Sequence, residues 1–128
     1  KKKIKFCIGR VFSFFSNKQS LNYLVPSLKK KILNKKNKKI ILKDLNHYRD
    51  FIKIDKIINI INFLYKKKYS GIVNIASGKK IYLKSIVKKL NENKIHVEFK
   101  DIKNNNKLVA DISKLRKLGF KDKNLSPF

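Results

Sequence analysis

Arg10, Arg49 and Arg116 are the only arginines among 34 basic residues in this 128-residue chain, and the other 31 are lysines. Arg49 is followed directly by Asp50 and lies five residues after Asp44. A planar guanidinium donates several aligned hydrogen bonds and so grips a diphosphate better than an ammonium does. The same side chain could instead close a structural ion pair with Asp50 or Asp44. Ser13 offers a hydroxyl that could meet a ligand or satisfy its own loop. Other chemistries lack their residues. Cys7, His47 and His96 have no metal-ligand spacing, and a single cysteine allows no internal disulfide. No glycine-rich phosphate loop follows a strand, and no Ser/His/Asp arrangement is present. Nor is there a Tyr-x-x-x-Lys proton relay: Tyr48 is followed four positions on by Ile52, and Tyr82 by Ile86.

The net charge of +26 raises a nucleic-acid reading. Three features weigh against specific nucleic-acid binding. Lysine dominates over the arginine that reads base edges. Lysine, isoleucine and asparagine are enriched together, as A- and T-rich codons would produce. The charge is also spread along the chain, with Lys29–Lys31 and Lys66–Lys68 at helix flanks. No apolar run reaches the roughly 18 residues that span a bilayer, and no signal-peptide pattern occurs. A lone Cys7 fits a reducing cytoplasm. The chain starts at Lys1 and contains no methionine, which points to a fragment forming a single partial domain over residues 1–128.

The elements that must position these residues follow from periodicity. Ile4–Phe15 reads as a strand covered on both faces, as in a parallel sheet. Ser16–Ser20 is loop chemistry, and a helix starts near Val25 with Pro26 in its first turn. Lys39–Lys43 and Tyr48–Ile54 read as strands. Asp55 is expected to N-cap a helix through Tyr65, closed by Ser70-Gly71. Ile72–Ala76 is a buried strand stopped by Ser77-Gly78. A helix over Tyr82–Asn91, a strand over Ile95–Phe99 and a polar loop over residues 101–107 follow. Asp111 is expected to cap a last helix, Ile112–Leu118, with Gly119 at its C′ position. The order β-α-β-β-α-β-α-β-α is that of an α/β or α+β protein.

Five local patterns, in order, carry a resemblance. They are Cys7-Ile8-Gly9-Arg10-Val11-Phe12-Ser13-Phe14-Phe15; Val25-Pro26-Ser27-Leu28 followed by Ile32; Tyr48-Arg49-Asp50-Phe51-Ile52-Lys53-Ile54; Gly71-Ile72-Val73-Asn74-Ile75-Ala76-Ser77-Gly78; and Val109-Ala110-Asp111-Ile112-Ser113-Lys114-Leu115 with Leu118-Gly119-Phe120. In this order the chain, from about Ile4 to Phe120, resembles the C-terminal half of the NAD-dependent epimerase/dehydratases, the extended short-chain dehydrogenase/reductase family. It departs from them where Ser13 replaces asparagine, Ser16-Asn17 replaces Gly-Pro, Lys53 replaces histidine and Lys56 replaces aspartate.

The resemblance implies an α/β fold: the last strands of a Rossmann-like sheet, near Ile4–Val11 and Ile72–Ile75, plus a small mixed substrate lobe. It implies that Arg49 holds the pyrophosphate of a nucleotide diphosphate-sugar. Ser13, Gln19 and Pro26 would shape the sugar pocket, with the loop Ser13–Gln19 closing over it. Val11 and Phe12 would border the nicotinamide of an NAD or NADP bound mainly by an upstream Rossmann half, which also carries the tyrosine–lysine pair. Lys100 and Lys103 are candidates for a second phosphate contact. No catalytic residue and no metal ligand is assigned within the chain, which alone is expected not to turn over substrate. Two alternatives are a lysine-rich nucleic-acid-binding protein and a non-enzymatic remnant that pairs with a separate Rossmann half. Exposed edges on the strands at Ile4 and Ile72 would mark the remnant.

Overall fold

A computed structural model describes residues 4–34, 36, 38–102 and 106–128. The described residues cluster into two compact units, one of residues 4–15, 50–79 and 109–127, the other of 16–49 and 80–108.

In the first unit, β1 (Cys7–Val11) pairs in parallel with β6 (Gly71–Ile75), and β2 (Ser13–Phe15) pairs in parallel with β5 (Phe51–Lys53). Helix α2 (Ile54–Lys66) buries Ile57, Ile60 and Leu64, which recur at three- and four-residue spacing and so share one face. These side chains join Ile52, Val73, Ile75, Leu115, Phe120 and Leu125 in one core, with Leu115 supplied by α4 (Ser113–Lys117).

In the second unit, β3 (Lys39–Lys43) pairs in parallel with β8 (His96–Lys100). A small mixed sheet sets β4 (Tyr48–Arg49) between antiparallel β7 (Ile81–Tyr82) and parallel β9 (Lys107–Leu108). Helices α1 (Leu24–Leu33) and α3 (Leu83–Leu90) pack on each other, burying Val25, Leu28 and Ile32 from one and Leu83, Ile86 and Val87 from the other.

Several expectations are corrected. The stretch Ile4–Phe15 is two strands, and β1 is uncovered: Ile4 is 87%, Phe6 64%, and Ile8 and Val11 each 46% exposed. Its apolar run follows the composition of a doubly covered strand, but only one neighbouring strand, β6, is present among the described residues. The strand expected over Tyr48–Ile54 is broken at Asp50, and Ile54 already begins α2. Asp55 is not the N-cap. Lys53 holds that position without a side-chain bond, and Asp55 sits in the first turn, where its charge favours the helix dipole. Nor does Ser70-Gly71 close α2. Lys68, at φ 51°, takes the left-handed position, with Lys68 N–H donating to Tyr65 O and Tyr69 N–H to Leu64 O. Asp111 lies one residue before the N-cap, Ile112, and accepts from both the N–H and the hydroxyl of Ser113. Gly119 is at C′ as expected, at φ 97°, with Phe120 N–H bonded back to Leu115 O. Strand β9 begins at Lys107, the last residue of the expected polar loop, and was not expected.

Asp50 breaks the strand because its carboxylate is drawn inward. It is 1% exposed. One oxygen accepts from Ser77 N–H at 2.9 Å and Ser77 Oγ at 2.5 Å; the other accepts from Gly78 N–H at 2.8 Å and Ala110 N–H at 3.3 Å. Gly78 has φ 71°, and a Cβ there would lie 2.9 Å from Ile112 Cδ1, so both conformation and space require glycine. A buried charge survives only when its acceptor sites are filled. Asp50→Asn turns one acceptor oxygen into a donor facing other donors. Urea unfolding is expected to show a loss of about 2–4 kcal/mol, with the slope unchanged.

Candidate functional site

Arg49 ends β4 and lines a cavity of about 320 Å³ in the second unit together with Asp44, His47, Ile102 and Asn106. Its Nη1 donates to Tyr48 O at 3.0 Å. Among the described residues it forms no salt bridge. The ion pair that would have made it structural is therefore absent there. Tyr48, between the two basic residues, packs its ring on Tyr82 at 5.0 Å, with Lys80 Nζ 4.1 Å from its centroid.

The cavity wall is built by reciprocal bonds between two distant segments. Asp101 Oδ1 accepts from Leu45 N–H at 3.0 Å, and Asp44 Oδ1 accepts from Ile102 N–H at 3.3 Å. Asp44 adopts φ 57° to make this turn, a conformation that aspartate tolerates better than most residues. Lys84 forms a salt bridge with the other oxygen of Asp101 and holds its carboxyl below the usual range, with the Leu45 amide helping. His47 lies below its ordinary value of 6.5, first because burial disfavours its charged form and then because Arg49 repels it. The Asp44 backbone and the Asp44 and Asp101 carboxylates act in the opposite sense.

The other expected residues fall in both units. In the first unit Val11 ends β1 and lines a groove of about 650 Å³ with Cys7, Gly9, Leu64, Tyr65 and Ile75. Phe12 donates its N–H to Ile75 O at 3.1 Å, a sheet role. Ser13 is half-buried and opens β2 opposite Phe51, so the loop starts at Ser16 rather than at Ser13. In the second unit Gln19 turns its side-chain oxygen onto Ser16 N–H at 3.2 Å, shaping its own loop. Pro26 is the third residue of α1, inside the first turn, where no helical partner awaits its missing N–H. Lys100 lies on β8, 3.8 Å from Glu98. Lys103 is outside the described residues. Asn74 ties β6 to the segment before α4, donating to Asp111 O at 2.8 Å. Sequence reasoning passed over Asp50 as a hub and His47, Ile102 and Asn106 as cavity walls. Only His47, two positions before Arg49, left a local signal.

The Lys84–Asp101 pair gives a pH-dependent stability. Because the folded value of Asp101 is depressed, its contribution is present above the unfolded value of about 3.9 and is lost as pH falls through the lower folded one. Asp101→Asn is expected to lower the urea midpoint at pH 7 and to lower it much less at an acid pH where Asp101 is protonated in both the folded and the unfolded state. An equal loss at both pH values contradicts the assignment.

A model of the NAD dependent epimerase/dehydratase family matches residues 1–76, more than half of the chain. No curated protein matches it. Among solved structures, UDP-N-acetylglucosamine 4-epimerase from Methanobrevibacter ruminantium M1, in complex with UDP-N-acetylmuramic acid, superposes with a TM-score of 0.77 at 27% identity. That match covers 94% of this chain and 42% of the epimerase. RMD from Pseudomonas aeruginosa, complexed with NADPH, gives 0.75 at 14% identity over 88% and 40% of the two chains. dTDP-glucose 4,6-dehydratase from Bacillus anthracis str. Ames, in complex with NAD, gives 0.70 at 16% identity over 87% and 37%. The last two likenesses concern the fold alone, and the chain spans about two-fifths of the length of these structures. With its parallel β1–β6 pair and separate mixed unit, the fold is the Rossmann-like one expected, and the chain belongs to the NAD dependent epimerase/dehydratase family.

Proposed function

We propose that this chain is the substrate-binding portion of an NAD(P)-dependent nucleotide-sugar epimerase, dehydratase or reductase, and that Arg49 binds the diphosphate. The observation that carries this reading is a guanidinium that lines a cavity of about 320 Å³ without a carboxylate partner among the described residues. A diphosphate of a nucleotide-sugar supplies the missing anion, and charge-assisted bonds from arginine are short and directional. Ser13 would donate to a sugar hydroxyl, while Gln19 and Pro26 shape the loop and helix start that border the sugar. Binding energy from the remote nucleotide then positions the reacting carbon.

NAD or NADP would supply and remove hydride, with Val11 and Phe12 bordering the nicotinamide and the main cofactor contacts made by a Rossmann half. The first unit supports such a partner. Phe6 C=O and Phe12 N–H bond toward β6, so the alternating backbone groups of Cys7, Gly9 and Val11 point to the opposite edge, where no strand lies among the described residues. Ile4, Phe6, Ile8 and Ile72 leave apolar surface uncovered beside it. A parallel sheet is normally covered on both faces.

Among the described residues no strand aromatic is exposed to serve a lysine-rich nucleic-acid role, although a +26 chain attracts any polyanion at low salt. The two readings separate in one titration. UDP binding by the chain is expected to fall about tenfold or more in Arg49→Gln and to be only partly restored by Arg49→Lys, as calorimetry would read. Affinity for generic DNA should change little. Equal losses for UDP and DNA would sink the reading. The chain alone should give no NAD(P)-dependent turnover of a nucleotide-sugar, since no Tyr-x-x-x-Lys pair lies within it.

A further inference from the structure

His47 is the one titratable imidazole in the wall of the Arg49 cavity, and nothing in the diphosphate reading uses it. Its main chain is fixed, because His47 O accepts from Leu83 N–H at 3.1 Å at the start of α3. Among the described residues, three charged groups act on its ring. Arg49 opposes its protonation, while Asp44 and Asp101 favour it. Both carboxylates are already engaged: Asp101 with Lys84 and the Leu45 amide, Asp44 with the Ile102 amide. Among the described residues, the cavity therefore holds one permanent cation beside one imidazole that this cation helps to keep neutral.

We propose that His47 is a second, proton-dependent cation of this cavity: an anion bound at Arg49 draws a proton onto His47, which then binds the same anion. The inference rests on the diphosphate reading of Arg49 and adds a residue to it. Its physical basis is reciprocity. A bound anion offsets the Arg49 charge that repels the imidazolium and supplies an acceptor for the second N–H that protonation creates, the other being bonded to the Asp44 backbone, so both effects favour protonation. By linkage, protonated His47 must tighten anion binding by the same factor. Binding is thus stronger on the acid side of neutrality and weakens as His47 loses its proton. A rise of about one pH unit in the His47 midpoint corresponds to about a tenfold difference in affinity between its two forms.

The chain contains only His47 and His96, so an NMR titration of the two imidazole Cε1–H signals reads the proposal directly. The probe is inorganic pyrophosphate added to the full chain, with His96 on β8 as the internal control. The expected result is a His47 midpoint below 6.5 without ligand, raised by about one pH unit with saturating pyrophosphate, while His96 moves far less. Arg49→Gln without ligand should also raise the His47 midpoint and should abolish the further rise with pyrophosphate. If pyrophosphate shifts the Arg49 Nε–H signal and leaves the His47 midpoint in place, the His47 proposal fails and the Arg49 site stands. If pyrophosphate leaves the Arg49 signal unmoved, both fail. Equal rises at His47 and His96 would mean diffuse attraction to a basic chain and would also overturn the proposal. The wild-type arm stands even if the Arg49 variant is unfolded.

Discussion

A single buried carboxylate organises this chain. Asp50 receives four hydrogen bonds, from Ser77 twice, from Gly78 and from Ala110, and so joins the start of β5, the end of β6 and the segment that leads into α4. Four donors on two oxygens let a charge exist at 1% exposure. The same requirement explains the neighbouring residues: Gly78 must offer its N–H from a left-handed turn pressed against Ile112, and Ser77 must offer both backbone and side-chain donors. Arg49 is covalently attached to this anchor.

Elements that depend on local periodicity were legible in the sequence. The helices near Val25, through Tyr65 and over Tyr82–Asn91, the Lys39–Lys43 strand and the Gly119 cap all follow from spacing and from end signals at the right place. What was not legible depends on distant partners. The break at Asp50 is set by donors 27 and 60 positions away, and no window around Tyr48–Ile54 contains them. Lys68 closes α2 in a left-handed conformation that gives no glycine signal. Strand β9 is two residues long and exists through its pairing with β4. The apolar run before Phe15 correctly signalled a parallel strand, but composition says nothing about whether the covering elements are present.

The candidate site divides in the same way. Arg49 stood out because arginine is rare in a lysine-rich chain. Ile102 and Asn106 could not stand out, because Ile102 is held by the bonds that lock residues 44–45 to 101–102, and Asn106 by its carbonyl accepting from Tyr48 N–H. Gln19 turns its side-chain oxygen onto Ser16 N–H, a contact that local composition does not foretell. Net charge is a poor guide to any of this. Eight acidic residues cannot pair with 34 basic ones, so most lysines face solvent and attract phosphates without discrimination. Discrimination has to come from shape and from directed donors, which the cavity at Arg49 offers and a scattered lysine surface does not.

The central claim is therefore geometric, and a crystal structure of the chain with UDP tests it most directly. The account predicts diphosphate density inside the cavity lined by Asp44, His47, Arg49, Ile102 and Asn106, with a phosphate oxygen within hydrogen-bond distance of the Arg49 guanidinium. Diphosphate held only by surface lysines, with the Arg49 cavity empty, would contradict it.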